Sequence, residues 1–408
     1  MDSGRLVFRN FLTLGTGEVI ARWMHVLAVI LLGRALKPEM FGQFELALAI
    51  TSYALLGIRQ GFDLIAIREV ARNLSRESEW LRAIVRLRLF LALGAGTAVF
   101  AWVSIRGWQH PLSVLLVLFT ASYLANAITP QWRFLALQQP KPPAIASVVS
   151  QIIFLGTVVL LVRSPTDAWK AAAGWVVGEL GAAAILWMMR RPGPEPGDQT
   201  PVSAGYLFRE SLPVTASLVL GQLMYNFDLL ALAAMGKGSE IGFYLASYRC
   251  ATGFAPLLGH LQNSILPRFA SDQADPEKQL KLAWKMAATT ALVGLGIAAA
   301  ITAGASQLMD LFFGSEYRGA VPLLRILVWL LPLQFARAVL RQVLLAGDRQ
   351  LSDTRNVGLA ALTNIGMDLA LVPSFGAMGC AISTLGSEFV FLAGTWHALR
   401  SRGAARRS

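Results

Sequence analysis

Long apolar stretches follow one another along almost the whole chain, and only short polar breaks separate them. A helix needs about 20 mostly apolar residues to cross the hydrocarbon core of a bilayer. The pattern therefore predicts an all-α integral membrane protein with about twelve transmembrane helices. The predicted spans, numbered one to twelve in chain order, cover residues 11–33, 41–62, 83–103, 111–129, 143–162, 168–189, 213–235, 242–266, 282–304, 320–342, 352–372 and 376–398.

The longest polar break, which is rich in proline and glycine, lies between spans six and seven. It predicts an N-terminal six-helix lobe (1–190), a cytoplasmic linker (191–205) and a C-terminal six-helix lobe (206–408). An even number of spans gives both lobes the same orientation, as in the parallel repeats of transporters. A short similarity between Glu39–Phe44 and Glu240–Tyr244, after spans one and seven, favours such a repeat. We therefore expect two lobes around a central cavity.

The composition fits a membrane protein better than a soluble one. Hydrophobic residues make up 55% of the chain and charged residues 15%, whereas a soluble domain has about 25% charged residues. A net charge of +12 would suggest a nucleic-acid partner in a polar protein. In this apolar chain it indicates anionic membrane lipids as a partner, and no nucleic acid.

The positions of the positive charges predict the orientation. With the N-terminus inside, the predicted inner segments hold 24 Lys and Arg residues and the outer segments hold 7. Cytoplasmic loops carry the excess of Lys and Arg, so both termini are expected in the cytoplasm. We expect a multi-pass protein of the bacterial plasma (inner) membrane. On its cytoplasmic side, a basic stripe of Arg68, Arg72 and Arg76 would contact anionic lipid.

Signatures of the main enzyme classes are missing from the sequence. It has no G-x-x-x-x-G-K-[ST] phosphate loop, no H-E-x-x-H zinc motif and no G-x-S-x-G elbow. Two cysteines, Cys250 and Cys380, and four scattered histidines predict no metal centre. We expect a protein that is not an enzyme and needs no cofactor. Its energy source is left open between a Na⁺ or H⁺ gradient and the membrane potential.

Span one carries the densest group of ionisable residues, and such groups cost ~2.5–3.5 kcal/mol at the centre of a span. Glu18, Arg22 and His25 are spaced to share one helical face. Arg22 could bind an anionic group of a substrate through two parallel hydrogen bonds, with Glu18 positioning it and His25 sensing protons. The alternative is a Glu18–Arg22 pair that neutralises itself, beside a hydrogen-bonded structural histidine.

Further candidate residues lie in both lobes. Arg249 in span eight could form a cationic wall opposite Arg22, or extend to the outer interface. Arg59 and Arg337, near the inner ends of spans two and ten, could meet an incoming anionic headgroup or extend to the interface. The groups that could bind a coupling cation, or pair with an arginine, are Glu179, Asn226, Asp228 and Glu388.

Several stretches, in order along nearly the whole chain, are similar to segments of known transporters. They are Leu31–Phe44, Gln131–Gln138, Leu212–Pro213 with Tyr225–Asp228, Gly242–Arg249, Phe313–Tyr317 and Leu371–Ala381. They resemble the polysaccharide-exporter branch of the multidrug/oligosaccharidyl-lipid/polysaccharide (MOP) superfamily, which contains the Wzx-type flippases of lipid-linked oligosaccharides. This resemblance implies two lobes, alternating access, a central cavity for a polyprenyl-pyrophosphate-linked glycan and no catalytic residues. The thirteenth and fourteenth spans of lipid II flippases are not predicted here, which disfavours a peptidoglycan role.

The leading hypothesis is a secondary transporter that flips an undecaprenyl-pyrophosphate-linked oligosaccharide for O-antigen, capsule or exopolysaccharide biosynthesis. Polysaccharide polymerase and glycosyltransferase machinery would be its partners. One alternative is a cation-coupled, multidrug-type exporter of small molecules, which a cavity rich in acids and poor in arginine would favour. Another is a non-transporting scaffold of glycan assembly, which a packed core would favour. A membrane polymerase or ligase is disfavoured because the outer loops are short.

Overall fold

Helices form all the regular structure in the described ranges of the computed structural model, which are residues 3–190, 202–236, 238–253, 276–346 and 349–405. They are α1 (Ser3–Arg59), α2 (Phe62–Arg72), α3 (Glu77–Arg106), α4 (Pro111–Ile128), α5 (Gln131–Ala136), α6 (Lys141–Leu161), α7 (Ala168–Met188), α8 (Ala204–Ala234), α9 (Gly238–Thr252), α10 (Pro276–Ala303), α11 (Ala305–Phe312), α12 (Val321–Leu327), α13 (Leu330–Ala346), α14 (Gln350–Phe375) and α15 (Ala377–Ala405). Short 3₁₀ turns precede α3, α7 and α12.

In the described part of the chain, eight helical segments are long and apolar enough to cross a membrane, or ten if two bent pairs each count as one span. The first segment, Gly17–Arg72, has 56 residues, roughly 84 Å of helix at 1.5 Å per residue. It is broken at Lys37, whose φ of 60° ends one helix before Pro38 starts the next, so it contains spans one and two. The end of span eight, residues 254–266, lies outside the described residues. The predicted all-α, multi-span fold is confirmed, and the orientation of the termini stays a prediction.

Two compact units divide the chain, residues 1–222 and 223–408. The first part of α8 belongs to the first unit, because Leu207 is buried in a core with Phe62 of α2, Trp80 of α3 and Trp132 of α5. Residues 191–201 of the predicted linker lie outside the described residues. The lobe boundaries at 190 and 205 therefore stay a prediction.

In the second unit, α10, α13 and α15 share a core. Ala283, Val339 and Leu399 are buried there, one from each helix. Beside them, the rings of Trp284 and Trp396 lie 4.3 Å apart between centroids. These contacts fix α10, α13 and α15 relative to one another.

Candidate functional site

Arg22 lies in the middle of span one with its side chain exposed, and Glu18, one turn earlier, is exposed as well. Among the described residues, neither side chain forms an ion pair or a hydrogen bond. The self-neutralising Glu18–Arg22 pair considered from the sequence is therefore absent from this structure. Among the described residues, the Arg22 guanidinium on α1 therefore has no counter-charge, and its exposed side chain is accessible to an anion.

His25, one turn after Arg22, is half-buried among aromatic rings. Its ring centroid lies 6.2 Å from that of Phe154 on α6 and 5.7 Å from that of Trp175 on α7. Phe154 and Trp175 also meet edge to face, with their centroids 5.2 Å apart. His25 thus packs in a three-helix aromatic cluster, and both interpretations of it, as a proton sensor and as a hydrogen-bonded structural residue, stay predictions.

Arg59 and Glu179 are brought together by a residue that the sequence did not single out, Asn126 of α4. The Arg59 guanidinium donates a hydrogen bond to the Asn126 side-chain oxygen. The Asn126 amide donates to the Glu179 carboxylate (3.2 Å) and to the Ser122 carbonyl oxygen (2.9 Å). Arg59 is therefore held inside the unit rather than extended to an interface.

Arg337 and Glu388 form an ion pair between α13 and α15. The Arg337 guanidinium also lies over the ring of Phe391, 4.3 Å from the ring centroid. One turn along α13, Arg341 makes two hydrogen bonds of 2.8 Å to the Asp353 carboxylate. Like Arg59, Arg337 is engaged within its own unit in this structure.

Two buried carboxyl groups lie together in the second unit. One oxygen of Asp228 on α8 accepts hydrogen bonds from the hydroxyl groups of Tyr244 and Thr384, the latter at 3.0 Å. Asp368 on α14 is fully buried, and its carboxyl interacts with that of Asp228. In the described part of the chain, no Lys, Arg or His side chain pairs with either acid.

The remaining candidates, Asn226 and Arg249, are partly buried on α8 and α9. Asn226 lies two residues before Asp228 in the chain. Within the described residues, no three His, Cys, Asp or Glu side chains gather into a metal site. The Asp228 cluster instead offers carboxylate and hydroxyl oxygens, which suit a proton or a hard monovalent cation.

Sequence reasoning missed the partners of these charges. Asn126, Tyr244 and Thr384 each complete a hydrogen-bonded group, and Asp368 supplies the second carboxyl group beside Asp228. Asn126 is a polar residue in an otherwise apolar span, and such a residue indicates a polar contact inside the protein. Tyrosine and threonine are common in membrane helices, so Tyr244 and Thr384 give no such signal.

A comparison with protein families matches residues 7–273 to the polysaccharide biosynthesis protein family. A curated protein of Escherichia coli (strain K12), named "Putative O-antigen transporter", is 21% identical over 374 residues, which cover 87% of each chain.

Solved transporter structures share the fold. One is the lipid II flippase MurJ in an inward closed conformation, with a TM-score of 0.76, 12% identity and coverage of 95% of this chain and 87% of that one. Another is an inward-facing MATE family multidrug resistance transporter of the MOP superfamily, with a TM-score of 0.71, 14% identity and coverage of 95% and 96%. The protein is thus a multi-pass membrane protein with the fold of MOP superfamily transporters, and it belongs to the polysaccharide biosynthesis protein family.

Proposed function

We propose that the protein is a flippase that moves an undecaprenyl-pyrophosphate-linked oligosaccharide from the inner to the outer leaflet of the bacterial inner membrane. The glycan would serve O-antigen, capsule or exopolysaccharide biosynthesis. Family membership and the transporter fold support a role in polysaccharide export. The observation that carries the proposal is Arg22, an exposed cation in the middle of span one without an acidic partner among the described residues.

The chemistry of Arg22 suits the headgroup of such a lipid. A guanidinium binds phosphate oxygens through two parallel hydrogen bonds, and a bound anion offsets the ~2.5–3.5 kcal/mol that a mid-span arginine costs. The polyprenyl tail would stay in the bilayer while the headgroup passes between lobes that open alternately to each side. Glu18, exposed one turn away, would repel the anion from one side of Arg22 and so orient it.

The energy for this movement would come from a cation gradient or the membrane potential, since the sequence has no ATP-binding loop. One charge moving across 100 mV releases about 2.3 kcal/mol. We propose that Asp228 and Asp368 bind the coupling ion, a proton or Na⁺. Two buried acids without a basic partner can both be ionised only when a cation joins them.

The proposal is tested by Arg22→Ala in a strain of the source bacterium that lacks the chromosomal gene. Surface polysaccharide should be lost, and the lipid-linked oligosaccharide should accumulate on the cytoplasmic side. Arg22→Lys keeps the charge without the planar fork, so it should restore export only in part. Polysaccharide is measured by immunoblot and the precursor by mass spectrometry of lipid extracts.

Arg106→Ala is the matched control, because Arg106 is exposed at the end of α3 and stacks over Trp102. The Arg106→Ala variant should export polysaccharide normally. All variants are compared at equal protein levels. Full export by Arg22→Ala would remove Arg22 from the substrate site. Loss of export without precursor accumulation would instead favour the scaffold alternative, in which glycan assembly fails before transport.

A further inference from the structure

Two exposed arginines lie close together at the start of α3. Arg82 and Arg86 are one helical turn apart, and both are exposed. Within the part of the chain that the structure describes, neither forms an ion pair, a hydrogen bond or a cation–π contact. Two like charges at this spacing repel each other, so the pair favours an anion between them.

The neighbouring arginines already have acidic partners. Arg88, which is buried, pairs with Asp63 at 2.8 Å, and Arg133 and Arg190 both pair with the buried Glu77. The basic stripe expected to contact lipid is paired too, with carboxylates of α2, α3 and α8. Its pairs are Arg68 with Glu69 and Glu210, Arg72 with Glu69, and Arg76 with Glu79.

An exposed apolar surface follows the two arginines on the same helical face. Phe90 is 73% exposed and Leu93 is 63% exposed, one and two turns beyond Arg86. In a membrane-spanning helix such side chains face acyl chains. Cβ atoms tilt toward the N-terminus of a helix, so the guanidinium groups of Arg82 and Arg86 lean away from this surface and toward the headgroup layer.

The third span of the second unit repeats the arrangement. Lys281 and Lys285 are exposed one turn apart near the start of α10, and Lys285 has no side-chain partner among the described residues. Leu292, seven residues beyond Lys285, is 67% exposed, as Leu93 is seven residues beyond Arg86. Ile84 and Ala283, each two residues before the second cation, are buried.

We propose that Arg82 and Arg86 form a binding site for an anionic phospholipid, whose phosphate they hold while its acyl chains cover Phe90 and Leu93. Lys281 and Lys285 form the corresponding site in the second unit. Both sites lie at the membrane boundary where each third span begins, predicted to be the cytoplasmic leaflet. The proposal does not rest on what the protein transports, since it concerns resident lipid on the outside of each unit.

Native mass spectrometry of the delipidated full-length protein, titrated with phosphatidylglycerol or phosphatidylethanolamine, tests this. The unaltered protein should retain phosphatidylglycerol in preference to phosphatidylethanolamine. The double variant R82Q/R86Q should bind phosphatidylglycerol about thirtyfold more weakly at this site, because each cation near an anionic surface contributes about 1 kcal/mol. R82K/R86K should keep the binding, which shows that charge rather than folding is responsible. Adding K281Q/K285Q to R82Q/R86Q should remove a second bound lipid.

The matched control is R68Q/R72Q, which removes the same charge from residues that already have acidic partners. It should bind phosphatidylglycerol as the unaltered protein does. The proposal is overturned if R82Q/R86Q retains full binding, or if R68Q/R72Q loses as much. It is also overturned if both lipids bind equally well to the unaltered protein, because charge then does not select the lipid.

Discussion

At the scale of single residues, the carboxyl groups of Asp228 and Asp368 are both buried in the second unit. An ionised carboxylate in an apolar interior needs an opposite charge nearby, and no basic side chain among the described residues supplies one. The hydroxyl groups of Tyr244 and Thr384 provide hydrogen bonds to Asp228 but no charge. The pair is therefore suited to exchange a cation with the surrounding water.

Asp228→Asn should uncouple the transporter from its driving ion. In proteoliposomes we expect gradient-driven flipping to fall several-fold, because an amide neither takes up a proton nor neutralises Na⁺. The unaltered protein should also be stabilised by its coupling ion, because the ion binds preferentially to the folded state. If the ion is Na⁺, the protein should be more stable in Na⁺ than in K⁺; if it is a proton, the protein should be more stable at acidic than at neutral pH. The measurements are a flipping assay and thermal unfolding in each medium.

Asp310→Asn serves as the control, since Asp310 is half-exposed beside Arg318 (3.8 Å). It should respond to the ion as the unaltered protein does. An Asp228→Asn variant that keeps the full ion response would exclude these acids from coupling.

The Arg337–Glu388 pair should contribute more to stability than the Arg341–Asp353 pair. Arg337 and Glu388 are 14% and 8% exposed, whereas Arg341 is 35% exposed and can turn to water. Glu388→Gln leaves a buried guanidinium without its counter-charge, a loss of roughly 3–5 kcal/mol. We therefore expect a larger drop in the thermal unfolding temperature for Glu388→Gln than for Asp353→Asn. Equal drops would mean that water reaches both pairs.

The sequence could identify these charges but not their partners. Arg22, Arg59 and Asp228 stand out because each interrupts an apolar stretch. Asn126 lies 67 residues from Arg59 in the chain, and Thr384 lies 156 residues from Asp228. Contacts this distant depend on which helix faces meet, and one sequence does not fix those faces.

At the scale of elements, small residues set how closely α6 and α7 approach each other. Gly174 and Gly178 form a G-x-x-x-G pair on α7, a pattern that lets membrane helices pack backbone to backbone. A Cβ atom on Gly178 would lie 2.8 Å from the backbone oxygen of Ser150, and one on Gly174 would lie 2.5 Å from the Thr157 side chain. This contact also places Glu179 against Asn126.

Gly178→Ala should therefore push α7 away from α6. Overpacking of this kind costs about 1–3 kcal/mol, and it should lower the thermal unfolding temperature measured in detergent. Gly156→Ala on α6 makes the same chemical change at a position with no atom within 4 Å of the new Cβ. It should be neutral or slightly stabilising, because alanine favours the helix. If Gly178→Ala and Gly156→Ala had the same unfolding temperature, the close approach of α6 and α7 would not be needed for stability.

At the scale of the whole molecule, the hydrophobic pattern predicted the helical, multi-span fold because span length is fixed by the thickness of the bilayer. Orientation depends instead on the 24 basic residues in the predicted inner segments against 7 in the outer ones. The parallel repeat adds a constraint, since it places corresponding loops of the two predicted lobes on the same side. The turn before α7 and the turn before α12 precede spans six and ten, so two six-span lobes in one orientation place both turns on the outer side.

Cysteine labelling of intact spheroplasts tests orientation and repeat together. In a background with Cys250 and Cys380 replaced, a membrane-impermeant maleimide should label Thr166→Cys and Ser315→Cys, both exposed in these two turns. Ala71→Cys, exposed at the end of α2, should react only after the membrane is permeabilised. The reverse labelling would place both termini outside and overturn the charge argument. Labelling of Thr166→Cys and Ser315→Cys from opposite sides would contradict the parallel repeat itself, because two six-span lobes in one orientation place the turns before spans six and ten on the same face of the membrane.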